Sequence, residues 1–452
     1  MADADVIVAG AGPAGIMTAL LLARNGWRAV VLERKPRAKV GRPIRVALEE
    51  KIFEDNDLPA PEPPELIKQP QARELLSPDG RHKLKIRSLP VVGVDLRLLV
   101  QRLVETAEAQ GVQFFFNTTV TGPVVSDGRV TGLIGTTGDG RLLELSAPLT
   151  VDASGIYGVL RHELPEELGI QREIDPADVC NLWQESREIN RSAVMDLLAK
   201  NRIRPQVNVL RAGFMGPYSL FGVYVDLECD CVEVTVGVAH DERYPTAKEL
   251  AQRYLDSHHW IGEPIVAGGG LVPVRRPLDS MVASGFAVVG DAACQAIPQF
   301  AGGISSGLAA ARMLAETAGE ALQKNDPSRA ALWPYNVRYQ RSRGAAAANS
   351  DLFRRFLLTT SADELSAVFA RGIVTVEGIA GVMEGMPLEL PKSAVLSSAL
   401  GLLGRPNLLR KLWRLTKDPL RVLDLYQEYP ETDDDRELDR WRREVDKIFK
   451  RW

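Results

Sequence analysis

An apolar run followed at once by a glycine-rich turn constrains the fold of this chain more than any other feature. Val6–Ala9 has the pattern of a strand, and the next residues are Gly10-Ala11-Gly12-Pro13-Ala14-Gly15, before an alanine- and leucine-rich helical pattern. In such a unit Gly10 allows the tight turn, Gly12 lets the backbone approach a pyrophosphate, and Gly15 lets the helix pack close to the sheet. The free N–H groups at the helix N-terminus favour anionic phosphates. We therefore predict a βαβ unit that binds a dinucleotide.

An acidic residue ends the second strand of this unit. Glu33 follows the run Arg28-Ala29-Val30-Val31-Leu32, where a carboxylate can accept hydrogen bonds from ribose hydroxyls. An acid at this position argues against a 2′-phosphate. Glycine-rich turns also occur as plain strand-to-helix corners, but the strand, the helix and the acid together favour a binding role. These residues leave NAD and FAD as alternatives.

Length, charge and cysteine content narrow the class of protein. A chain of 452 residues is too long for one compact unit and predicts two or three domains. The formal net charge is −4 and basic residues are scattered among acids, which argues against a nucleic-acid partner. An acidic N-terminus precedes the first strand directly, and no segment reaches about 18 apolar residues, so we expect a cytoplasmic protein without a signal peptide. The four cysteines have neither the paired spacing of a zinc site nor the density of a disulfide framework; they are Cys180, Cys229, Cys231 and Cys294.

Two later strands each deliver an aspartate to a glycine turn. Asp152 follows an apolar strand and precedes Gly155, while Gly290 and Asp291 follow the apolar run 285–289. Open α/β sheets bind ligands at the carboxyl ends of their strands, so both aspartates are candidates. For Asp152 considered alone, capping of the following helix is the favoured interpretation.

The segment after Asp291 favours a flavin over a nicotinamide. Pro298 and then Gly302, Gly303 and Ile304 open a long alanine-rich helix that extends to about residue 322. A helix N-terminus with two glycines lets backbone N–H groups approach the pyrimidine edge of an isoalloxazine ring, where a reduced flavin carries negative charge. Asp291 can hold a ribityl hydroxyl. Nicotinamide enzymes have no such requirement.

Taken together, these segments resemble the para-hydroxybenzoate hydroxylase-type flavoprotein superfamily and, within it, the geranylgeranyl reductase-like branch. The resemblance covers residues 6 to about 322. It implies an α/β fold whose FAD-binding domain is Rossmann-like and has three layers, sheet, sheet and helix (ββα). A substrate domain of mostly antiparallel sheet is inserted into it, and a helical C-terminal region follows. The corresponding segments are 1–75, 95–165 and 271–330 for FAD, 76–94 and 166–270 for substrate, and 331–452 for the helical region.

The resemblance also implies a set of cofactor-binding residues. The glycine turn and Glu33 hold the ADP half of FAD, Asp291 binds the ribityl chain, and the Asp152 segment serves FAD and transient nicotinamide contact. Arg42 lies either near the FAD phosphates or flavin or in a solvated loop, and Arg97 matches an arginine at a helix start. The full predicted set is Gly10, Gly12, Pro13, Ala14, Gly15, Glu33, Arg34, Arg42, Arg97, Asp152, Gly155, Gly290, Asp291, Pro298, Gly302, Gly303 and Ile304.

The residues after Asp291 also bear on the reaction. Aromatic hydroxylases of this superfamily usually show a histidine there, whereas this chain has Cys294 and a run of small residues over 305–311, which resembles the reductase branch. This implies reduction of a carbon-carbon double bond in an apolar, isoprenoid or polyketide-like substrate by hydride from reduced flavin N5, with NAD(P)H or another reductant as electron donor. The alternative is a monooxygenase, hydroxylase or epoxidase, acting through a flavin C4a-hydroperoxide. A third is a flavin-binding protein without turnover. The pattern identifies no catalytic side chain and no metal site.

The C-terminal part has a helical pattern throughout. Helices are predicted over 335–358, 362–371 and 400–429, with breaks at Pro406 and Pro419. Leucines from 402 to 412 alternate with basic residues and form an amphipathic stretch. Its apolar face can lie on an anionic membrane surface as a peripheral contact. Packing against the protein's own core is the favoured alternative.

Overall fold

The computed structural model describes residues 2–70, 72–86, 91–214, 218–299, 302–383, 386 and 404–452. Residues 400–403, at the start of the third predicted C-terminal helix, lie outside this set. The strands are β1 (Val6–Ala9), β2 (Ala29–Leu32), β3 (Arg45–Glu49), β4 (Leu66–Ile67), β5 (Ala72–Leu76), β6 (Lys83–Ile86), β7 (Val91–Asp95), β8 (Gln113–Phe115), β9 (Thr118–Ser126), β10 (Arg129–Thr137), β11 (Leu142–Ser146), β12 (Leu149–Asp152), β13 (Val179–Ile189), β14 (Val207–Ala212), β15 (Ser219–Asp226), β16 (Cys231–Ala239), β17 (Ile261–Pro273), β18 (Val282–Ala283) and β19 (Phe286–Val288).

Short 3-10 helices and one π-helical turn, Gln340–Gly344, accompany the α-helices of the described part of the chain. The α-helices are α1 (Pro13–Arg24), α2 (Lys51–Glu54), α3 (Leu96–Ala109), α4 (Val159–His162), α5 (Arg191–Ala199), α6 (Ala247–Asp256), α7 (Ile304–Gln323), α8 (Arg329–Tyr339), α9 (Ala345–Thr359), α10 (Ala362–Ala370), α11 (Val376–Met383), α12 (Pro406–Gln427) and α13 (Asp435–Phe449).

A six-stranded sheet forms the base of the predicted FAD-binding domain. Its strand order is β18-β19-β12-β1-β2-β8, and all neighbours except β18 and β19 pair in parallel. The central strands are apolar along their whole length because helices and the meander of β9, β10 and β11 cover both faces. The carboxyl ends of parallel strands lie at the same edge of a sheet. Gly10 and Gly290 follow strands that end at this edge, and Asp152 is the last residue of another. The predicted α/β fold with three layers is confirmed.

A seven-stranded, mostly antiparallel sheet forms the predicted substrate domain, in the order β17-β13-β16-β15-β14-β5-β6. Strand side chains alternate between two faces. One face carries Val232, Val234 and Val236, which pack against α5 and α6. The opposite face meets the FAD-binding domain, because Gln184 on this face bonds the backbone of Arg45. We call this second face the inner face.

Sheet membership differs from the predicted domain edges in two places. β5 lies in the segment assigned to FAD binding, yet it pairs in parallel with β14 of the substrate sheet. β7 lies mostly in the segment assigned to substrate, yet it pairs with β3 and β4 in a separate three-stranded sheet. Both differences arise from pairings between residues distant in sequence. The division into domains otherwise stays a prediction.

The C-terminal helices pack on the rest of the protein, and one predicted break is wrong. Pro406 begins α12 and so fits its predicted place, but the helix continues through Pro419. Leu408, Leu412 and Leu415 on the same helix are buried, and this packing stabilises the helix where the missing N–H would weaken it. The favoured interpretation of an apolar face turned to the protein's own core is therefore correct for these residues. Among the residues that the structure describes, no helix combines the length and the apolar character needed to cross a membrane.

The cysteines give one further correction. Cys229 and Cys231 are joined by a disulfide at the turn between β15 and β16, a single bond that the spacing of the cysteines did not predict. The bond closes a hairpin and is not part of a larger framework. Cys180 and Cys294 are free and buried.

Candidate functional site

The glycine turn after β1 has the geometry of a phosphate cradle. Gly10 has φ +105°, and a Cβ on it would lie 2.5 Å from the Ala153 carbonyl oxygen. A Cβ on Gly15 would lie 2.3 Å from the Gly10 carbonyl oxygen, so helix α1 packs closely against the turn. A Cβ on Gly12 would meet no atom within 4 Å. Because Gly12 is also the N-cap of α1, this open space lies in front of the helix N-terminus, where a pyrophosphate would bind.

Glu33 contacts this turn directly. Its carboxylate accepts hydrogen bonds from the Ala11 N–H at 3.0 Å and from the Lys35 N–H at 2.9 Å. The adjacent Arg34 is exposed, and its guanidinium lies 5.0 Å from the centre of the Tyr157 ring. Tyr157 is 54% exposed and was not predicted. The sequence signal for it is an aromatic residue two positions after Gly155. Because Tyr157 is exposed and lies beside Arg34, both residues are candidates for contact with the adenine end of FAD.

The three predicted segments meet around Ala14 at the start of α1. A Cβ on Gly290 would lie 3.1 Å from the Ala14 Cβ, and one on Gly307 would lie 3.3 Å from it. A Cβ on Gly303 would lie 2.8 Å from the Asp291 carboxylate. The glycine turn, the Gly290 turn and the start of α7 are therefore adjacent, as a single extended cofactor would require.

Asp291 has a carboxylate suited to a ligand hydroxyl. The structure gives it no hydrogen-bond or ion-pair partner among the described residues, although Arg42 is close enough to act on its charge. Burial raises the pKa of this carboxyl, and Arg42 opposes the rise. The residue keeps some solvent exposure, so protein atoms surround the carboxylate while one side stays accessible. This is the environment expected for an acceptor of a ribityl hydroxyl.

Arg42 lies in the loop after β2, and the backbone of Arg97 adjoins this loop. A Cβ on Gly270 of the substrate sheet would lie 3.2 Å from the Arg42 guanidinium, which places Arg42 between the two domains. The Cα of Arg97 lies 2.7 Å from the position of a Cβ on Gly41, so the start of α3 adjoins this loop. Within the described ranges, no carboxylate forms an ion pair with either arginine. Both guanidinium groups are therefore available to anionic groups of a cofactor.

Asp152 caps the helix that follows it, which is the interpretation favoured for this residue considered alone. It is fully buried, and its oxygens accept hydrogen bonds from the Ser154 N–H and hydroxyl and from the N–H groups of Leu160 and Arg161. The carboxylate thus caps α4 and fixes the loop that contains Gly155. These contacts fit the capping interpretation, and the place of the Asp152 segment beside FAD stays a prediction.

The start of α7 is held by contacts across the domain boundary. Pro298 is buried, and its carbonyl oxygen accepts a hydrogen bond from the Tyr218 hydroxyl of the substrate sheet. Gly302 bridges to Ile297, and a Cβ on Gly302 would meet no atom within 4 Å. Gly303 is the N-cap, and Ile304 is the first residue of α7. Open space therefore lies beside Gly302, where the flavin ring is expected.

Cys294 is a packing residue. It is fully buried, and burial raises the pKa of its thiol to about 11. A thiol with this pKa stays protonated at neutral pH and is a poor nucleophile. In the part of the chain that is described, the only cluster of metal-ligating side chains is Asp226, Cys229 and Cys231, and its two sulfurs are bonded to each other.

These features fit FAD: an open cradle at Gly12, a carboxylate at Asp291 without a partner, and open space beside Gly302. The family described as FAD dependent oxidoreductase matches residues 5–162. The chain is also 29% identical to the digeranylgeranylglycerophospholipid reductase of Sulfolobus acidocaldarius, over 98% of this chain and 97% of that protein. The chain is an FAD-dependent oxidoreductase. Its cofactor and its geranylgeranyl reductase-like character, both predicted from the sequence, are confirmed.

Solved structures show how widely this oxidoreductase shares its fold. A geranylgeranyl bacteriochlorophyll reductase-like protein from Thermoplasma acidophilum has a TM-score of 0.69 at 19% identity, over 91% of this chain and 99% of its own. A probable FAD-dependent monooxygenase from Pseudomonas aeruginosa has a TM-score of 0.57 at 19% identity, over 81% and 99%. Since both identities are low, these likenesses establish the fold and do not distinguish the reactions.

Proposed function

We propose that this oxidoreductase reduces carbon-carbon double bonds in the isoprenoid chain of a lipid substrate. The proposal rests on the similarity along the whole chain to a protein named for that activity. The apolar composition of the inner face supports it, because leucines and glycines of this face lie beside the FAD-binding segment. Leu182, Leu210 and Leu220 are only partly buried although they point toward other parts of the protein. Partly exposed apolar side chains on an internal surface are typical of a pocket for an apolar ligand.

The residues of the chain bind, orient and shield the reactants in this reaction. FAD, once reduced, supplies a hydride from N5. The Gly302 and Gly303 turn and the positive end of α7 would stabilise negative charge on the reduced cofactor. Leu182, with Gly237 and Gly270 in the same cross-strand row, provides a smooth apolar surface for a flat alkene segment. Reduction of one double bond takes two electrons and two protons, so one proton must reach the second carbon from solvent or a side chain.

The electrons must come from outside the chain in every cycle. We propose NAD(P)H or a ferredoxin-like protein as the donor, because a flavin that has given up a hydride must be reduced again before the next cycle. Anaerobic mixing with NADH, NADPH or reduced ferredoxin will identify it through loss of the visible absorbance of oxidised flavin.

Turnover without oxygen tests the proposed reaction. We expect the FAD-loaded protein, reduced with dithionite under argon, to convert geranylgeranyl chains to products heavier by two hydrogens per double bond, as measured by mass spectrometry. A monooxygenase, which the superfamily also contains, would be inactive under argon and would add oxygen under air. Products that carry one additional oxygen atom would contradict the proposal. The protein without FAD is the control.

We further propose that α12 contacts an anionic membrane, where a lipid substrate would lie. The exposed side of this helix carries Trp413 and Leu420, at 63% and 52% exposure. Three exposed basic residues, Arg410, Lys417 and Arg421, lie on the same side at helical spacing. Exposed apolar side chains flanked by basic ones are typical of helices that lie on anionic lipid.

Vesicle binding tests this contact. Replacing Arg410, Lys417 and Arg421 by glutamine is expected to lower the partition coefficient on phosphatidylglycerol vesicles about 100-fold, because each charge contributes about 1 kcal/mol near such a surface. Binding to neutral phosphatidylcholine should change little. A matched variant on α13, with the three exposed residues Arg436, Arg440 and Arg443 replaced by glutamine, should bind as the parent protein does. Equal loss in both variants would show a dependence on net charge alone and would contradict the assignment to α12.

A further inference from the structure

The inner face of the substrate sheet changes character along its strands. Near the FAD segment it carries Leu182, Gly237 and Gly270, and farther along it carries Gln184 and then Ser186. Leu182 and Ser186 are four residues apart on β13, which corresponds to about 13 Å along a strand. The row at Ser186 continues across the sheet as Glu233, Tyr224, Asn208 and Arg73. We call this row the polar end of the inner face.

Glu233, in the middle strands of this row, interacts with charged and polar groups beside it. Gln184 donates a hydrogen bond to Glu233 at 3.2 Å, and an Arg45 nitrogen lies 3.8 Å from the Glu233 carboxylate. Burial raises the pKa of Glu233, and Arg45 opposes this rise. Burial and the nearby carboxylates, Glu233 among them, raise the pKa of Tyr224 to about 12. Glu233 and Tyr224 are therefore interacting groups, and strand register places Ser186, Asn208 and Arg73 in the same row.

Arg73 is the cation in this row whose charge is not balanced. Its guanidinium donates to the Gln69 side chain at 2.6 Å, and no carboxylate within the described residues forms an ion pair with it. Burial alone lowers its pKa. On the opposite face of the same strand, Glu74 pairs with Arg204 and Lys83, so carboxylates nearby are used elsewhere. A partly buried guanidinium without a counter-charge is a natural partner for a phosphate.

Two neutral groups in the row also lack partners. The Asn208 carbonyl oxygen and the Ser186 hydroxyl are buried, and neither has a hydrogen-bond partner in the described part of the protein. Buried polar atoms without partners cost free energy, and in binding sites a ligand commonly satisfies them. Both atoms lie on the inner face, on strands that flank Glu233 and Tyr224. They suit hydroxyl or ester oxygens next to a phosphate.

We infer that the polar end, centred on Arg73, binds the phosphate-bearing head of the substrate and thereby sets which double bonds of the chain reach the flavin. The inference rests on the proposed function and deepens it, because it specifies a lipid with an anionic head over a free isoprenoid alcohol. Arg73 on β5 lies four strands from Leu182 on β13, so about 19 Å across the sheet adds to the separation of about 13 Å along the strands. Only the chain then extends along Leu182 and Gly270 toward FAD.

Binding measurements on the FAD-loaded protein test this site without turnover. The probes are geranylgeranyl monophosphate and geranylgeraniol, which share a chain and differ in the head. Replacing Arg73 by glutamine is expected to weaken binding of the monophosphate about tenfold or more by calorimetry, since hydrogen bonds to charged groups are strong. Binding of the alcohol should stay within about twofold of the parent value. Arg73→Lys should recover part of the affinity because it keeps the charge.

A control variant and a turnover assay separate the possible failures. Lys85→Gln removes one positive charge from the neighbouring strand β6, where the side chain is exposed, and should bind the monophosphate as the parent protein does. Equal losses for both probes in Arg73→Gln, or no loss for either, would overturn the phosphate site. If the binding difference is found but neither probe is reduced, the proposed function fails and the site stands. If both probes are reduced and the substitution changes the binding of neither, the proposed function stands and the phosphate site fails.

Discussion

Gly12→Val is expected to give a folded, colourless protein. Gly12 has φ −79° and ψ 168°, which any residue can adopt, and a Cβ there meets no protein atom within 4 Å. The valine side chain would instead occupy the space in front of the α1 N-terminus, where the FAD pyrophosphate is expected. Overpacking of this kind costs about 3 kcal/mol, so the Kd for FAD should rise about 100-fold. Loss of the visible flavin absorbance after purification, with an unchanged far-UV spectrum, would show this result.

Comparison with other positions makes the Gly12 prediction specific. Gly122→Ala in strand β9 places a Cβ at an ordinary 3.9 Å from Ile134 and should leave both FAD content and stability unchanged. Gly15→Ala forces a contact of 2.3 Å with a backbone oxygen and should destabilise the apoprotein itself. Asp291→Ala should fold and lose FAD on dilution more readily than the parent protein, because one acceptor for a ribityl hydroxyl is gone. A Gly12→Val protein that purifies fully yellow would contradict the cradle.

The cofactor site was predictable because its signals are local. Gly10 and Gly12 lie within one turn, and Asp291 follows its strand directly, so each feature is visible in a few consecutive residues. The role of Asp152 cannot be predicted from such local signals. A strand that ends in aspartate before a helix has the same sequence whether the carboxylate faces a ligand or caps the helix, and only the four hydrogen bonds in the structure distinguish the two roles.

The polar end of the inner face could not be predicted, because its residues come together through strand pairing. Arg73 reaches this row only through the parallel pairing of β5 with β14. Glu233 and Ser186 meet across β13 and β16, whose register no local pattern specifies. The continuity of α12 through Pro419 has a similar cause, since tertiary packing of Leu412 and Leu415 outweighs the local effect of proline. Contacts distant in sequence thus account for each difference.

A buried ionic network joins the C-terminal helices to the domain boundary. Asp351 on α9 is fully buried and accepts hydrogen bonds from Arg354 at 2.8 and 2.9 Å, from Arg355 at 3.2 Å and from the Arg276 N–H at 2.9 Å. Arg354, itself 1% exposed, also donates to Asp178 at 2.6 Å, immediately before β13. Arg276 follows β17, the strand that carries Gly270. Because the start of β13 lies beside the end of β17, the network fixes this one end of the inner face relative to the C-terminal region.

Asp351→Ala should be the most destabilising single substitution considered, because it leaves the buried Arg354 guanidinium with too few acceptors. Breaking a buried ion pair by removing one partner costs about 3–5 kcal/mol, measurable by urea unfolding. Glu316→Ala, which removes an exposed partner of Arg338, should cost less than about 1 kcal/mol. A Glu316→Ala loss equal to that of Asp351→Ala would contradict the importance of burial.

The network also predicts how stability depends on pH. The adjacent arginines hold the pKa of Asp351 below its ordinary value although burial acts in the opposite direction. A carboxyl with a lowered folded-state pKa stabilises the protein above its unfolded-state pKa, near pH 4, and this stabilisation is lost as the pH falls toward the folded-state value. Asp351→Asn, which has nearly the same shape and no titration, should be less stable than the parent protein at pH 7, and the difference should shrink below about pH 4. A difference that stays constant from pH 7 to pH 3 would show that the charge of Asp351 does not hold the C-terminal helices against the inner face.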